Sequence, residues 1–163
     1  MIFVGIIIGM FLGVIVVNSI LRKKHFTELL NKEKQISKFK IYYNLLNKWL
    51  YLKEKNRSVD GYFEERKYKK IAIYGVGEMG KRLHNELKYT NLEVAFFIDS
   101  KGEGYDGVKI YRSTDVLPNV DVDVVVISVA YAVYEIAEEL CEKFKCPIVS
   151  IEDVVEDVYW DIT

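Results

Sequence analysis

The sequence predicts an α/β protein: a small, doubly wound parallel sheet, preceded by an apolar N-terminal helix and an amphipathic linker helix. Three observations predict it. Residues 71–99, IAIYGVGEMGKRLHNELKYTNLEVAFFID, pass from an apolar run through a glycine-rich turn and a helical pattern into a second apolar run. After them, strand-like and helix-like stretches alternate to the end of the chain. That alternation belongs to a parallel sheet with helices on both faces. Ahead of them stand residues 2–21, with no charged side chain, and residues 22–56, with no Gly or Pro.

The segment 71–99 carries the functional expectation. Ile71, Ala72, Ile73 and Tyr74 read as a buried parallel strand. Gly75, Gly77 and Gly80 follow with G-x-G-x-x-G spacing, separated by Val76, Glu78 and Met79. Leu83 and Leu87 then share one face of a helix starting near Glu78. The run 94–98 ends in Asp99, nineteen residues after Gly80. Together these predict a Rossmann-like nucleotide-binding unit. Gly75 allows the tight turn, Gly77 lets backbone approach a pyrophosphate, and Gly80 lets the helix pack close. The helix N-terminus presents N–H groups and partial positive charge to phosphates. Asp99 would accept bonds from a ribose, with Ser100 and Lys101 next to it. A tight strand-to-helix turn alone is the competing use of the glycines.

The remaining elements follow in order. Residues 2–21 are long enough, at about 1.5 Å per residue, to cross a hydrocarbon core of roughly 30 Å. Arg22, Lys23 and Lys24 come after this run rather than before it. That order predicts an uncleaved anchor with the C-terminal side in the cytoplasm. Gly5, Gly9 and Gly13 fall on one helix face, where close contact with another membrane helix is possible. Residues 22–40 carry seven Lys or Arg against Glu28 and Glu33, and the rest of the chain is net acidic. A basic collar beside a membrane can hold anionic headgroups. The formal net charge of −1 gives no sign of a nucleic-acid partner. Leu29, Ile36, Tyr43 and Leu50 recur every seven residues, with Phe39 and Leu46 three further on, and Lys32 and Lys53 break that second row. The pattern suits a short coiled coil or a helix docking through Leu45, Leu46 and Trp49.

Residues 58–68 read as a linker with a short helix, and SKGEGYDG after the second strand reads as a loop. Residues 108–111 form a short strand, and Ser113 caps a short helix halted near Pro118. The β-branched run 122–129 is a central strand, 130–144 a helix, 147–151 a last strand and 152–158 an acidic helix. The expected division is 1–21 anchor, 22–68 basic juxtamembrane and linker helices, and 69–163 nucleotide-binding domain. Cys141 and Cys146 lack C-x-x-C spacing and suit a reducing compartment.

On the motifs IAIYGVGEMGKRL, FFIDSKGEGYDGVKIY and VDVVVISVA, the stretch 69–156 resembles Rossmann-like domains of bacterial sugar-nucleotide and polysaccharide-biosynthesis proteins. These include nucleoside-diphosphate-sugar epimerase-like proteins and the N-terminal domains of sugar O-acyltransferases. It is also similar to the NAD(H)-binding domain of the redox-sensing repressor. The resemblance implies NAD(H) or a sugar nucleotide as ligand. Two features of these families do not carry over. The Tyr-x-x-x-Lys pair Tyr51 and Lys55 lies upstream of the glycine loop and reads as coincidence, and no β-helix pattern follows the domain.

Catalytic and metal constellations are expected to be absent. His25 belongs to the basic collar, and His84 reads as a surface residue with no evident acidic partner. Ser128 and Val129 fall at the C-terminal end of the central strand, where open α/β sheets bind ligands. Ser128 would bond a ribose or phosphate, or cap the strand. Tyr131 would stack on a ring or cover the sheet edge, and Lys81 and Arg82 would reach phosphates or solvent. The expectation is a membrane-anchored cytoplasmic nucleotide-binding protein, a sensor or accessory in cell-surface glycan assembly. It would pair with itself or with a glycan-assembly enzyme through the Gly5/Gly9/Gly13 face and the 22–56 helix. An oxidoreductase or epimerase-like enzyme completed by a partner chain, and a ligand-free adaptor, stand beside it.

Overall fold

A computed structural model describes residues 2–100, 104–114 and 121–162, with side chains described from Asn18 onward. The chain divides into two compact units, residues 1–40 and 41–163. The described residues of the first, 2–40, all belong to α1 (Ile2–Glu54). Every side chain described between 18 and 40 is exposed. Among the described residues no helix is long and apolar enough to cross a membrane. The expected anchor at 2–21 rests on residues 2–17, whose side chains lie outside the description.

The second unit is the α/β domain. After α1 and α2 (Asp60–Glu65) come β1 (Lys70–Tyr74), α3 (Glu78–Leu87) and β2 (Glu93–Asp99). They are followed by β3 (Gly104–Tyr105), β4 (Val108–Arg112), β5 (Val124–Ile127), α4 (Val133–Cys141), β6 (Ile148–Ser150) and α5 (Ile151–Trp160). The sheet order is β3-β4-β2-β1-β5-β6. All pairings are parallel except β3 with β4. Without the edge strand β3, the parallel strands run third-second-first-fourth-fifth, so chain order reverses between β1 and β5. At that point α/β sheets open a crevice at their carboxyl ends.

Side-chain alternation explains the two layers. Ile71, Ile73, Phe97, Val124 and Val126 face a core shared with α1, α2, α3 and α5. Ala72, Phe96, Ile98, Val125 and Ile127 face the opposite layer, where Ile136 and Leu140 of α4 cover them. A period of two on strands buried on both sides yields the continuous apolar runs of the sequence. The β1–β2 register shifts between Ile71 and Ala72. Past that shift Tyr74 pairs with Ile98, so Asp99 ends its strand beside the Gly75 turn.

The compact domain starts earlier than residue 69. Leu45, Trp49 and Leu52 of α1 and Val59, Tyr62 and Phe63 around α2 are buried in the first core layer. The docking expected of Leu45 and Trp49 is therefore present, and the short helix expected within 58–68 is α2, which joins the core through Tyr62 and Phe63. Arg66 holds α2 to α5, lying 3.9 Å from the Tyr62 ring centroid and donating to Asp157 at 3.0 Å. The SKGEGYDG loop also contains more structure than expected. Asp106 and Gly107 have φ of 51° and 81°, joining β3 to β4 as a tight hairpin. Asp-Gly is the sequence signal for such a turn. The short helix expected from Ser113 to Leu117 falls mainly on 115–117, outside the described residues. At the end, Ser150 and Asp153 form a reciprocal capping box that starts α5.

Asp123 fastens the opposite, N-terminal edge of the sheet. Its carboxylate accepts from the backbone N–H groups of Lys69 at 2.6 Å and Lys70 at 2.8 Å. These two bonds hold its pKa below the ordinary carboxylate value. A depressed folded pKa gives stability that is present above the unfolded value of about 3.9 and lost as pH falls through the folded one. Acid unfolding of the protein should therefore steepen below about pH 4. Asp123→Asn should flatten that limb and leave the neutral-pH slope unchanged, as read by denaturant midpoints across pH.

Candidate nucleotide site

The glycine loop lies where β1 and β5 end side by side. Gly75 has φ of +96° and its N–H donates to Ile98 O at 2.7 Å. A Cβ there would lie 2.7 Å from Ser128 Oγ and 2.9 Å from Val129 Cγ2. At Gly80 a Cβ would lie 2.0 Å from the Gly75 carbonyl oxygen. Both glycines are required by the fold itself: one by conformation and crowding, the other by the close passage of α3 over the loop. Gly77 differs. It is the N-cap of α3 at φ −71°, and a Cβ on it would meet nothing within 4 Å. Neither conformation nor internal packing accounts for the missing side chain.

No side chain caps the N-terminus of α3. Its first turn therefore keeps N–H groups available toward the open side of Gly77. Glu78, exposed in that turn, complements the helix dipole, and Met79 turns inward into the core. Asp99 is oriented toward the loop: its Oδ2 accepts from Val76 N–H at 2.8 Å, and its Oδ1 accepts from Ser100 Oγ at 3.1 Å. The carboxylate expected to read a ribose thus also positions the glycine loop.

Ser128 is buried, and its hydroxyl is directed at the carbonyl oxygens of Tyr74 (2.9 Å) and Gly75 (3.0 Å). Of the two roles expected for it, the geometry supplies the structural one, stitching β5 to the loop. Val129 stands half-buried beside Gly75. Tyr131 packs edge-on against Tyr42 of α1, with ring centroids 6.1 Å apart. The last part of α1 therefore touches the segment after β5 that borders the crevice. The cations after Gly80 face elsewhere. Lys81 Nζ lies 5.4 Å from the Tyr105 ring centroid, and Arg82 lines a groove between α1 and α3.

That groove has a volume of about 750 Å³ and is lined by Leu46, Trp49, Leu50, Arg82 and Tyr89, among others. Its wall is organised by Glu86. The Glu86 carboxylate accepts from Trp49 Nε1 (2.7 Å), Ser58 Oγ (2.6 Å) and Val59 N–H (2.8 Å), and pairs with Lys53. One side chain of α3 thus holds both α1 and the start of α2.

His84 corrects the sequence expectation of a surface histidine. It is buried between the Phe97 and Tyr105 rings, with Nε2 3.1 Å from Asp106 Oδ2. Lys88 donates to the same carboxylate oxygen at 3.0 Å, and these bonds lower the Asp106 pKa. The Asp-Gly turn brings this acid to α3 from 22 residues further along the chain. The trio pins the hairpin to α3. Elsewhere, Glu65, Asp157 and Asp161 bring carboxylate oxygens within 4.8 Å of one another at the surface, where Arg66 engages Asp157.

Two comparisons give no match: none with a curated protein and none with a solved structure. Residues 67–147, from just before β1 to just before β6, match the family described as "C2185-like, N-terminal". The matched stretch contains the glycine loop, Asp99, the hairpin and Ser128, so the resemblance covers the region in which the candidate site is built.

Proposed function

We propose that this chain is a membrane-tethered nucleotide-binding protein whose α/β domain takes NAD(H) or a sugar nucleotide, and that it binds and reports the ligand rather than transforming it. The observation that carries this reading is the contrast among the three glycines. Gly75 and Gly80 are explained by the fold, whereas Gly77 leaves open space at an uncapped helix N-terminus. A pyrophosphate fits that space, because N–H groups and the helix dipole both favour an anion there. Asp99, held beside the loop by Val76 N–H, supplies the carboxylate for a ribose diol. A 2′-phosphate at the same place would set like charges together, so NAD(H) is favoured over NADP(H). The tether rests on the apolar run 2–21 and the basic residues after it. A role beside cell-surface glycan assembly follows from the resemblance to sugar-nucleotide proteins.

The test is Gly77→Ala in the full chain, with calorimetry against NAD(H), NADP(H) and a nucleoside-diphosphate sugar. At φ −71° alanine adopts the backbone without strain. Its weaker capping and its lower unfolded-chain entropy nearly offset each other, so stability should change by less than about 1 kcal/mol. Ligand binding should fall at least tenfold. Undiminished binding in the variant, or no binding of any of the three by the parent chain, would defeat the reading. Tighter NADP(H) than NAD(H) would remove the role given to Asp99.

A further inference from the structure

We propose that the groove between α1 and α3 is a second binding site, for a small organic acid with an apolar body and one carboxylate. The groove lies wholly within the second unit, and none of the glycine-loop residues lines it. Its volume of about 750 Å³ is that of a small-molecule cleft, roughly 300–1,000 Å³. Its wall is fixed before any ligand arrives, because Glu86 ties Trp49, Ser58 and Val59 together. A cleft already in its final shape loses little freedom on binding.

Charge decides the class of ligand. The charged side chains lining the groove are Lys53, Arg82 and Glu86. Lys53 and Glu86 neutralise each other. Arg82 stands apart. Glu78 and Glu86 lie four residues to either side of it on α3, the spacing at which helical ion pairs form. Glu86 is instead turned to α1 and the start of α2, and Arg82 has no ion pair or hydrogen bond among the described residues. One positive charge is left on the wall. A guanidinium fork matches a carboxylate through two parallel bonds. A phosphate monoester, with nearly two charges at neutral pH, would keep one uncompensated, and a cationic ligand would meet a like charge. Asn85, exposed on the same wall, adds a carboxamide donor. The apolar body has its own surface. Leu46, Leu50 and Tyr89 line the groove, and Leu50 is 58% exposed. Apolar surface left in water beside an unpaired cation provides both halves of a site for an amphipathic anion.

The test is calorimetry on the full chain, with phenylpropionate as the probe and protein-free buffer as the blank. The carboxylate should bind saturably, in the millimolar range or tighter. Phenylpropylamine and phenylpropanol, with the same body and no anion, should each bind about tenfold more weakly, the loss of one charge-assisted bond. Arg82→Met removes the charge and keeps the bulk of the side chain. It should cost the carboxylate about the same factor and leave the alcohol unchanged. Leu50→Glu should abolish carboxylate binding by setting a like charge over the groove. Both variants replace exposed side chains, so their melting temperatures should stay near that of the parent. Gly77→Ala should change none of these affinities, which separates the groove from the nucleotide site. Trp49 emission, read with Trp160→Phe, should shift on binding, since Trp49 forms part of the wall. The proposal is overturned by no saturable carboxylate binding, by equal binding of the amine or the alcohol, or by tighter binding of phenyl phosphate. Undiminished binding in Arg82→Met or Leu50→Glu, or binding with an unshifted Trp49 spectrum, would overturn it as well.

Discussion

Gly80→Ala should unfold this domain more severely than any other glycine-to-alanine change in the loop. A Cβ at that position would lie 2.0 Å from the Gly75 carbonyl oxygen and 2.9 Å from Ser128 Oγ. The obstructing atom is backbone, and Gly75 N–H is itself tied to Ile98 O. The end of β1 cannot withdraw without breaking the bonds that Ser128 makes to Tyr74 and Gly75, and α3 cannot withdraw without lifting Met79, Leu83 and Leu87 out of the core. Overpacking against a fixed neighbour costs about 3 kcal/mol, equivalent to a loss on the order of 10 °C in Tm. Urea unfolding of Gly77→Ala beside Gly80→Ala gives the contrast. The first should stay within about 1 kcal/mol of the parent, and the second should be shifted to much lower urea or lack a folded baseline. Equal midpoints for the two would show that α3 does not pass as close to the loop as described.

The same contrast shows what the sequence makes legible. Strand, glycine turn, helix, strand and acid form a local pattern, and each part lies within a few residues of its neighbour. The run 71–99 therefore reads correctly as β1, α3 and β2 to within a residue or two. β5, α4, β6 and α5 are legible for similar reasons, since their periodicity is set by burial on one or both faces. The spacing alone does not separate the glycines by task. G-x-G-x-x-G looks uniform, and only the space around each Cβ shows that the fold needs Gly75 and Gly80 but not Gly77.

Contacts distant in sequence were hidden. In the sequence His84 looks exposed because its partners Tyr105 and Asp106 lie in a segment rich in glycine. The Asp-Gly pair in that segment was a sufficient hairpin signal, and it is this turn that buries the imidazole. The sequence places Ser128 at the carboxyl end of β5, but not the direction of its hydroxyl, which faces loop carbonyls. The boundary near residue 69 followed composition, whereas the core takes in Leu45, Trp49, Leu52 and Phe63 from before it. The basic stretch ends at Lys40, where the second compact unit begins, but α1 runs through that point without a break.

Glu86→Ala should detach α1 from the domain at a cost of about 3 kcal/mol. The carboxylate has a side-chain exposure of 10% and collects three donors from two segments, Trp49 Nε1 from α1 and Ser58 Oγ and Val59 N–H from the start of α2, with Lys53 beside it. Trp49 and Val59 are themselves buried. Removing the acceptor leaves an indole N–H and a backbone N–H unpaired in the core, and unpaired buried donors cost more than the bonds are worth when made. Lys53 contributes little, because its side chain is 45% exposed and its ion pair is screened. The expected order of destabilisation is therefore Glu86→Ala, then Glu86→Gln, which keeps one acceptor oxygen, then Lys53→Ala, within about 1 kcal/mol of the parent. Trp49 fluorescence, measured with the exposed Trp160 replaced by Phe, locates the effect. The emission of Glu86→Ala should shift to the red before global unfolding, as Trp49 leaves the groove wall. Loss of stability with an unshifted Trp49 spectrum would place the damage elsewhere in α3, and Lys53→Ala matching Glu86→Ala would show that the ion pair, rather than the three hydrogen bonds, joins the helices.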